Sequence, residues 1–187
     1  MKLTLDVENT TTERNGKLHL DPFEPDNSLT MVGLLTDTGE ETIVTFDHND
    51  VEATPDGYKI VQDALDKATI LIAHNAAYDL MWVWESGFKY DGPVFDTMLG
   101  EYVLQRGIKE PLSLEACAER YELDTKKQST LKEYYKKGYS TRTIPHDELC
   151  MYLSADLHAT QQLCDKLIYR LNKEDDASLM PTVTLTN

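Results

Sequence analysis

The alternation of apolar and polar residues predicts three strands near the start of the chain. Residues 1–7 alternate with period two, which is typical of a strand with one buried face. The same pattern predicts strands over Leu29–Leu35 and Glu41–Phe46, divided by turn-forming residues at Asp37–Gly39. The polar stretch Asn9–Asn27 contains two prolines and predicts a long hairpin or an irregular connection.

Helical spacing dominates the rest of the chain. The apolar run Thr69–Ala73 predicts one more buried strand. The helix that follows this strand is expected to end at Gly87. A short extended piece precedes Asp96, a good N-cap residue. The predicted helices are Tyr58–Lys67, Asn75–Glu85, a helix from Asp96 to about Gln105, Ser113–Tyr121, Thr130–Lys137 and Pro145–Leu171. This order of strands and helices predicts an α/β domain with a mixed sheet flanked by helices.

Composition places the chain among globular proteins of one domain. It has 187 residues, of which 41% are hydrophobic and 27% charged. No apolar run is long enough to span a membrane, and the three cysteines form no CxxC pair, which favours a reducing compartment. The net charge of −15 would by itself argue against nucleic acid as a partner.

Four carboxylates occupy positions that suit a metal site. Asp6 and Glu8 leave the same face of the first strand, because side chains alternate along a strand. Asp79 lies one helical turn after Asn75, and Asp156 lies one turn after Tyr152 on the long last helix. If these three elements pack around one sheet, the four carboxylates converge.

Such a cluster has a definite chemistry. Carboxylate oxygens select hard cations, so we expect Mg²⁺ or Mn²⁺ and not Zn²⁺. Two divalent ions would stabilise the attacking and leaving oxygens of a phosphodiester during hydrolysis. The phenol of Tyr152 could hold the attacking water in line.

Each signal also has a simpler explanation. An Asp-x-Glu pair is most often a solvated strand end, and Asn75 is a good helix N-cap. A tyrosine on a helix face is more often a core residue than a catalytic one. Asp96 is most simply an N-cap. The four carboxylates, in this order and on the expected elements, are poorly explained by these alternatives together.

The combined motifs resemble the DEDD superfamily of 3′→5′ exonucleases, which have a ribonuclease H-like fold. The resemblance implies a mixed sheet of three antiparallel strands plus parallel strands, over a domain of residues 1–171 with a C-terminal tail at 172–187. Other stretches are similar to the proofreading domains of DNA polymerase I-type enzymes, including those of phages. The segments that carry the resemblance are Leu5–Glu8, Ala73–Asp79, Phe95–Leu99, Ser113–Tyr121, Ile144–Leu149 and Tyr152–Asp156.

The last motif resembles the tyrosine branch of the superfamily. The histidine branch has its catalytic histidine five residues before the last aspartate, and Met151 occupies that position here. The tyrosine branch has a tyrosine four residues before it, which matches Tyr152. The resemblance implies that Asn75 lies along the substrate, that Tyr152 orients the water, and that the metal ligands are Asp6, Glu8, Asp79 and Asp156.

A basic segment offers a second candidate for substrate binding. Between residues 126 and 142 six basic side chains accompany a single acidic one, with tyrosines interleaved. Basic groups and aromatic rings together are typical of surfaces that bind single strands. A solvated helix face with tyrosines in the core explains the pattern equally well. The candidate residues are Lys126, Lys127, Lys132, Lys136 and Arg142.

We therefore expect a metal-dependent 3′→5′ exonuclease acting on the 3′ end of single-stranded DNA, releasing nucleoside 5′-monophosphates in replication proofreading. The resemblance implies a DNA polymerase domain or subunit as a partner, no membrane, and the cytoplasm of a bacterium or of a phage-infected host cell. Two alternatives stay open. One is ribonuclease D-like trimming of RNA 3′ ends, and the other is a catalytically silent structural module of a polymerase complex.

Overall fold

A computed structural model of the protein describes residues 1–123, 129–173 and 184–185. Within these residues the main sheet has six strands in the order β5-β4-β1-β6-β7-β8. Strands β1, β6 and β7 are parallel to one another. Strand β4 is antiparallel to both β1 and β5, and β8 is antiparallel to β7. The six strands are β1 Lys2–Asn9, β4 Leu29–Thr36, β5 Glu41–Thr45, β6 Ile70–Ala73, β7 Val94–Asp96 and β8 Thr184–Leu185.

The remaining elements of the described residues are a small hairpin and six helices. The polar connection after β1 forms the two-stranded hairpin β2–β3, which confirms the hairpin interpretation of residues 9–27. The bounds are β2 Thr12–Arg14, β3 Lys17–His19, α1 Gly57–Lys67, α2 Ala76–Glu85, α3 Thr97–Leu104, α4 Leu114–Arg120, α5 Ser129–Lys136 and α6 His146–Lys173. The mixed, helix-flanked sheet is the ribonuclease H-like arrangement expected from the sequence.

The two faces of β1 have different partners. Leu3, Leu5 and Val7 point into a core that includes residues of α1 and α2. The opposite face carries Asp6 and Glu8 and lies under the long helix α6. Helix α6 buries an apolar stripe against the sheet and against α3 and α4, which fixes the helix along its length.

Gly33 allows α6 to approach the sheet closely beside Asp6. Gly33 on β4 is the direct cross-strand partner of Asp6, so the two residues share a sheet face. A Cβ at Gly33 would lie 2.8 Å from Leu157 Cδ1 and 2.9 Å from Leu153 Cγ. Both distances are below ordinary van der Waals contact, so only glycine lets the helix lie at its present height.

We expect Gly33→Ala to lower the free energy of unfolding by about 1–3 kcal/mol, because overpacking a buried contact forces neighbouring side chains to shift. Denaturant unfolding measures the change. Gly100→Ala is the control, since its Cβ meets Leu167 Cδ1 at 3.2 Å and alanine favours its helix, α3. A Gly33→Ala chain as stable as the unsubstituted protein would contradict this account of the contact.

The predicted tail and the basic segment are described only in part. Strand β8 belongs to the predicted tail, and its two residues pair with Val94 and Phe95 at the sheet edge. The boundary between residues 171 and 172 stays a prediction. Lys126 and Lys127 lie outside the described residues. Among the helices in the described ranges, none is both long and apolar enough to cross a membrane.

Candidate active site

The candidate site begins where β1 runs beyond β6. The two strands are paired only over Lys2–Thr4, so beyond Thr4 the edge of β1 on the β6 side faces no strand of the described residues. Helix α2 starts in this space after β6 ends at Ala73. The backbone N–H of Val7 donates to Asp79 Oδ1 at 3.2 Å, which binds α2 to the carboxylate-bearing end of β1.

Helix α6 brings the remaining two side chains to the same place. Asp156 is buried, and its charge acts on both Asp6 and Glu8. Tyr152 lies one turn earlier on α6, close enough to Asp156 for the charge of that carboxylate to act on its phenol. The structure therefore places Asp6, Glu8, Asp79, Tyr152 and Asp156 together, from three elements far apart in sequence.

Burial and mutual repulsion dominate the electrostatics of this cluster. Burial and the charge of Asp156 raise the pKa of Asp6 well above its usual value, although a backbone hydrogen bond from Val7 opposes the shift. Burial and the charges of Asp6 and Asp156 raise the pKa of Glu8 in the same way. The pKa of Asp79 is also well above its usual value, mainly through burial and then through Asp6.

The same surroundings keep the phenol of Tyr152 neutral. Burial raises its pKa far above the usual value, and the charges of Asp156, Glu8 and Asp6 add to the shift. The phenol O–H therefore stays available to donate to Asp156, and its oxygen can accept from a water molecule.

The donor chemistry fits a hard divalent cation. Carboxylate oxygens that repel one another in a buried place are stabilised by a bound Mg²⁺ or Mn²⁺. In the present side-chain arrangement no group of three His, Cys, Asp or Glu residues closes around one point, in the part of the chain that the structure describes. The residues that could hold the cation are Asp6, Glu8, Asp79 and Asp156.

We expect Asp79→Asn to stabilise the protein in EDTA. A carboxyl with a raised pKa in the folded state binds more protons folded than unfolded, so the free energy of unfolding falls as pH rises from the unfolded pKa toward the raised one. Asparagine removes this penalty at pH 7 and can still accept from Val7. Thermal unfolding should show a midpoint higher by about 2–4 °C, equivalent to ~1 kcal/mol in a domain of this size.

The control for this prediction is Asp63→Asn. Asp63 pairs with Lys59 on the exposed face of α1, and this hydrogen bond lowers the pKa of its carboxyl. Its neutralisation should give no increase in the midpoint. The difference between Asp79→Asn and the unsubstituted protein should shrink at pH 5. A midpoint for Asp79→Asn that is unchanged or lower in EDTA at pH 7 would contradict the repulsion inferred here.

Asn75 stands at the entrance of α2 with its side chain exposed. Its backbone is left-handed, with φ of 65°, and its side chain makes no capping hydrogen bond. The exposed amide is therefore available to a substrate. Asn75 is the N-cap residue of α2 by position, but its side chain does not act as the cap that the simpler explanation expects.

The basic segment is only partly available for substrate. Lys132 forms an ion pair with Glu115, and Arg142 donates to Asp47 and to Ser28 Oγ at 3.3 Å. Lys136 is exposed on α5. Tyr134 packs on the core around Leu131 and Ile144, whereas Tyr135 and Tyr139 are exposed. Tyr134 fits the interpretation of tyrosines in the core, and the substrate contacts of the segment stay a prediction.

A hydrogen-bonded group beside the carboxylates was missed by the sequence analysis. The hydroxyl of Tyr78 donates to Asn9 Oδ1 at 2.7 Å. The carbonyl oxygen of Leu20 lies 3.1 Å from the hydroxyl oxygen of Tyr78. These contacts fix the β2–β3 connection next to Glu8. The only signal in the sequence was the position of Tyr78 directly before Asp79, which does not predict its partners.

The fold is of the ribonuclease H-like class, and the family match defines a nuclease. A family model described as 3′-5′ exonuclease matches residues 19–172, so the chain belongs to this family. Asp6 and Glu8 precede the matched residues, and their assignment depends on the sequence motif and on the structure. A comparison with curated proteins gives no match.

Solved structures share the fold at low sequence identity. NrnC of Brucella melitensis with bound Mg²⁺ is 19% identical with a TM-score of 0.61, over 95% of this chain and 76% of that one. Escherichia coli RNase D, an exoribonuclease involved in structured RNA processing, is 14% identical with a TM-score of 0.59, over 97% and 42%. Pol1 of M. smegmatis, in complex with DNA, is 17% identical with a TM-score of 0.55, over 95% and 25%.

Proposed function

We propose that this chain is a divalent-metal-dependent 3′→5′ exonuclease that removes nucleoside 5′-monophosphates from the 3′ end of single-stranded DNA. The observation that supports this most strongly is the convergence of four carboxylates from β1, α2 and α6 beside a neutral tyrosine. Such a cluster is costly to hold together without a cation, which argues against a catalytically silent structural module.

In the proposed reaction each side chain has one task. Asp6, Glu8, Asp79 and Asp156 would hold Mg²⁺ or Mn²⁺, and a bound pair of ions supplies charge stabilisation for the attacking and leaving oxygens. Tyr152, next to Asp156, would orient the attacking water. The exposed amide of Asn75 would contact the terminal nucleotide.

A role in replication proofreading, with a polymerase domain or subunit as partner, extends the proposal. Its support is the similarity of the sequence to polymerase I-type proofreading domains, together with the shared fold of Pol1. The net charge of −15 disfavours extensive duplex binding, which suits brief contact with a frayed 3′ end.

Trimming of RNA 3′ ends is the second candidate. The folds of NrnC, which has also been solved bound to pGG, and of RNase D favour it, since the latter is described as an exoribonuclease. None of the described residues identifies a reader of the 2′-hydroxyl.

The test uses 5′-labelled single strands of DNA and RNA with matched sequence, incubated with Mg²⁺, Mn²⁺ or EDTA. We expect a ladder of 3′-shortened DNA products that EDTA abolishes, with nucleoside 5′-monophosphates released. Faster shortening of RNA than of DNA would replace the first candidate by the second. A metal-supplemented protein that shortens neither strand would refute both.

A further inference from the structure

The N-terminus of α2 is capped by a residue from outside its own helix. The N-cap residue Asn75 makes no side-chain capping bond. The backbone N–H of Asn75 donates to Asp96 Oδ1 at 3.1 Å, and that of Ala76 donates to Asp96 Oδ2 at 3.0 Å. A carboxylate from the end of β7 therefore does what the N-cap side chain usually does.

The same carboxylate also caps α3. Asp96 Oδ1 accepts from the N–H groups of Met98 at 2.9 Å and Leu99 at 3.2 Å. Asp96 is only 6% exposed, and these four backbone donors compensate for its burial. One side chain thus joins the starts of two helices, only one of which belongs to the candidate active site.

We propose that Asp96 is a positioning residue for hydrolysis, because it sets where α2 begins. This inference rests on the proposed function. By capping α2 in place of Asn75, Asp96 leaves the Asn75 amide exposed toward substrate. It also fixes the helical turn that presents Asp79 to the end of β1, where Val7 donates to it.

If Asp96 were only structural, its effect would be limited to capping α3. The capping of α2 and of α3 can be tested separately, because only Asp96 Oδ1 accepts from α3, whereas Oδ2 accepts from Ala76 of α2. Asp96→Asn can keep the amide oxygen at the Oδ1 position, with its three donors, but it loses the acceptor for Ala76. Asp96→Ser retains a good N-cap for α3, but its short side chain cannot reach α2. Ser113→Ala is the matched control, because it removes the side-chain capping bond of α4, from Ala116, and leaves both oxygens of Asp96 in place.

The experiment compares these three variants with the unsubstituted chain at a temperature where all are folded. We expect 3′ hydrolysis to fall about tenfold in Asp96→Asn and about 100-fold in Asp96→Ser, the range found when groups that orient metal ligands are removed. Mn²⁺ affinity, measured by the paramagnetic resonance of free Mn²⁺, should fall in the same order. Amide hydrogen exchange at Asn75 and Ala76 in the metal-free protein should accelerate. Ser113→Ala should lower the unfolding midpoint without changing the other three measurements.

The inference is overturned if Asp96→Ser loses stability as Ser113→Ala does but keeps its hydrolysis rate and Mn²⁺ affinity. Asp96 would then be only a structural cap. If instead the unsubstituted chain shortens no strand, the proposed function fails by itself. In that case unchanged exchange at Asn75 and Ala76 and unchanged Mn²⁺ affinity in Asp96→Ser would still refute the positioning role, and changes in both would support it.

Discussion

Replacing Asp6 and Glu8 by alanine is expected to lower the rate of 3′ hydrolysis by at least about 10³-fold, equivalent to ~4 kcal/mol of lost transition-state stabilisation. Both carboxylates lie on the face of β1 under α6, close enough to Asp156 for its charge to raise their pKa values. Without them only Asp79 and Asp156 remain to hold a cation. Single-turnover cleavage of a labelled single strand in Mn²⁺ measures the effect.

The chain contains a matched control for this substitution. Asp50 and Glu52 form a second Asp-x-Glu pair, and both side chains are exposed. Replacing them by alanine makes the same change in net charge at a distance from β1, so we expect the hydrolysis rate to stay the same. Undiminished hydrolysis after loss of Asp6 and Glu8 would disprove the proposed mechanism.

Tyr152→Phe is expected to lower kcat by about 10–100-fold with little change in KM, because the loss of a positioned hydroxyl affects the orientation of the water and not the hold on substrate. The phenylalanine ring keeps the packing of the tyrosine. The unfolding midpoint in EDTA should therefore change little. Steady-state kinetics on a single-stranded oligonucleotide, together with thermal unfolding, check both parts.

Tyr169→Phe is the control on the same helix. Its ring is 63% exposed and lies by Lys173, far along α6 from Asp156. It should leave kcat unchanged. A Tyr152→Phe chain with the kcat of this control would show that the hydroxyl takes no part in the reaction.

The sequence predicted the fold well where one periodicity extended over several residues. The alternation in β1 and the apolar stripe of α6 correspond to elements that bury one face, so their patterns reflect their packing. The helices predicted from Asp96 and Ser113 begin where these N-caps indicate. For β7, with three residues, the sequence indicated only an extended piece, and β8, with two residues, was missed, because such short strands depend on their neighbours.

The candidate site was predictable in its residue types but not in its supporting contacts. A carboxylate pair on one strand face can be recognised from spacing alone. The double capping by Asp96 and the ion pairs of Lys132 and Arg142 join positions far apart in the chain. The importance of Gly33 likewise appears only once α6 lies over β4.

The position of α6 late in the chain affects how the protein acquires activity during synthesis. Strand β1 leaves the ribosome early with Asp6 and Glu8, but Tyr152 and Asp156 follow only with the helix that begins at His146. At typical elongation rates of about 5–20 residues per second, this delay lasts on the order of ten seconds. Under the proposed mechanism the nascent chain has no hydrolytic activity until this helix packs on the sheet, because Tyr152 and Asp156 complete the site only then.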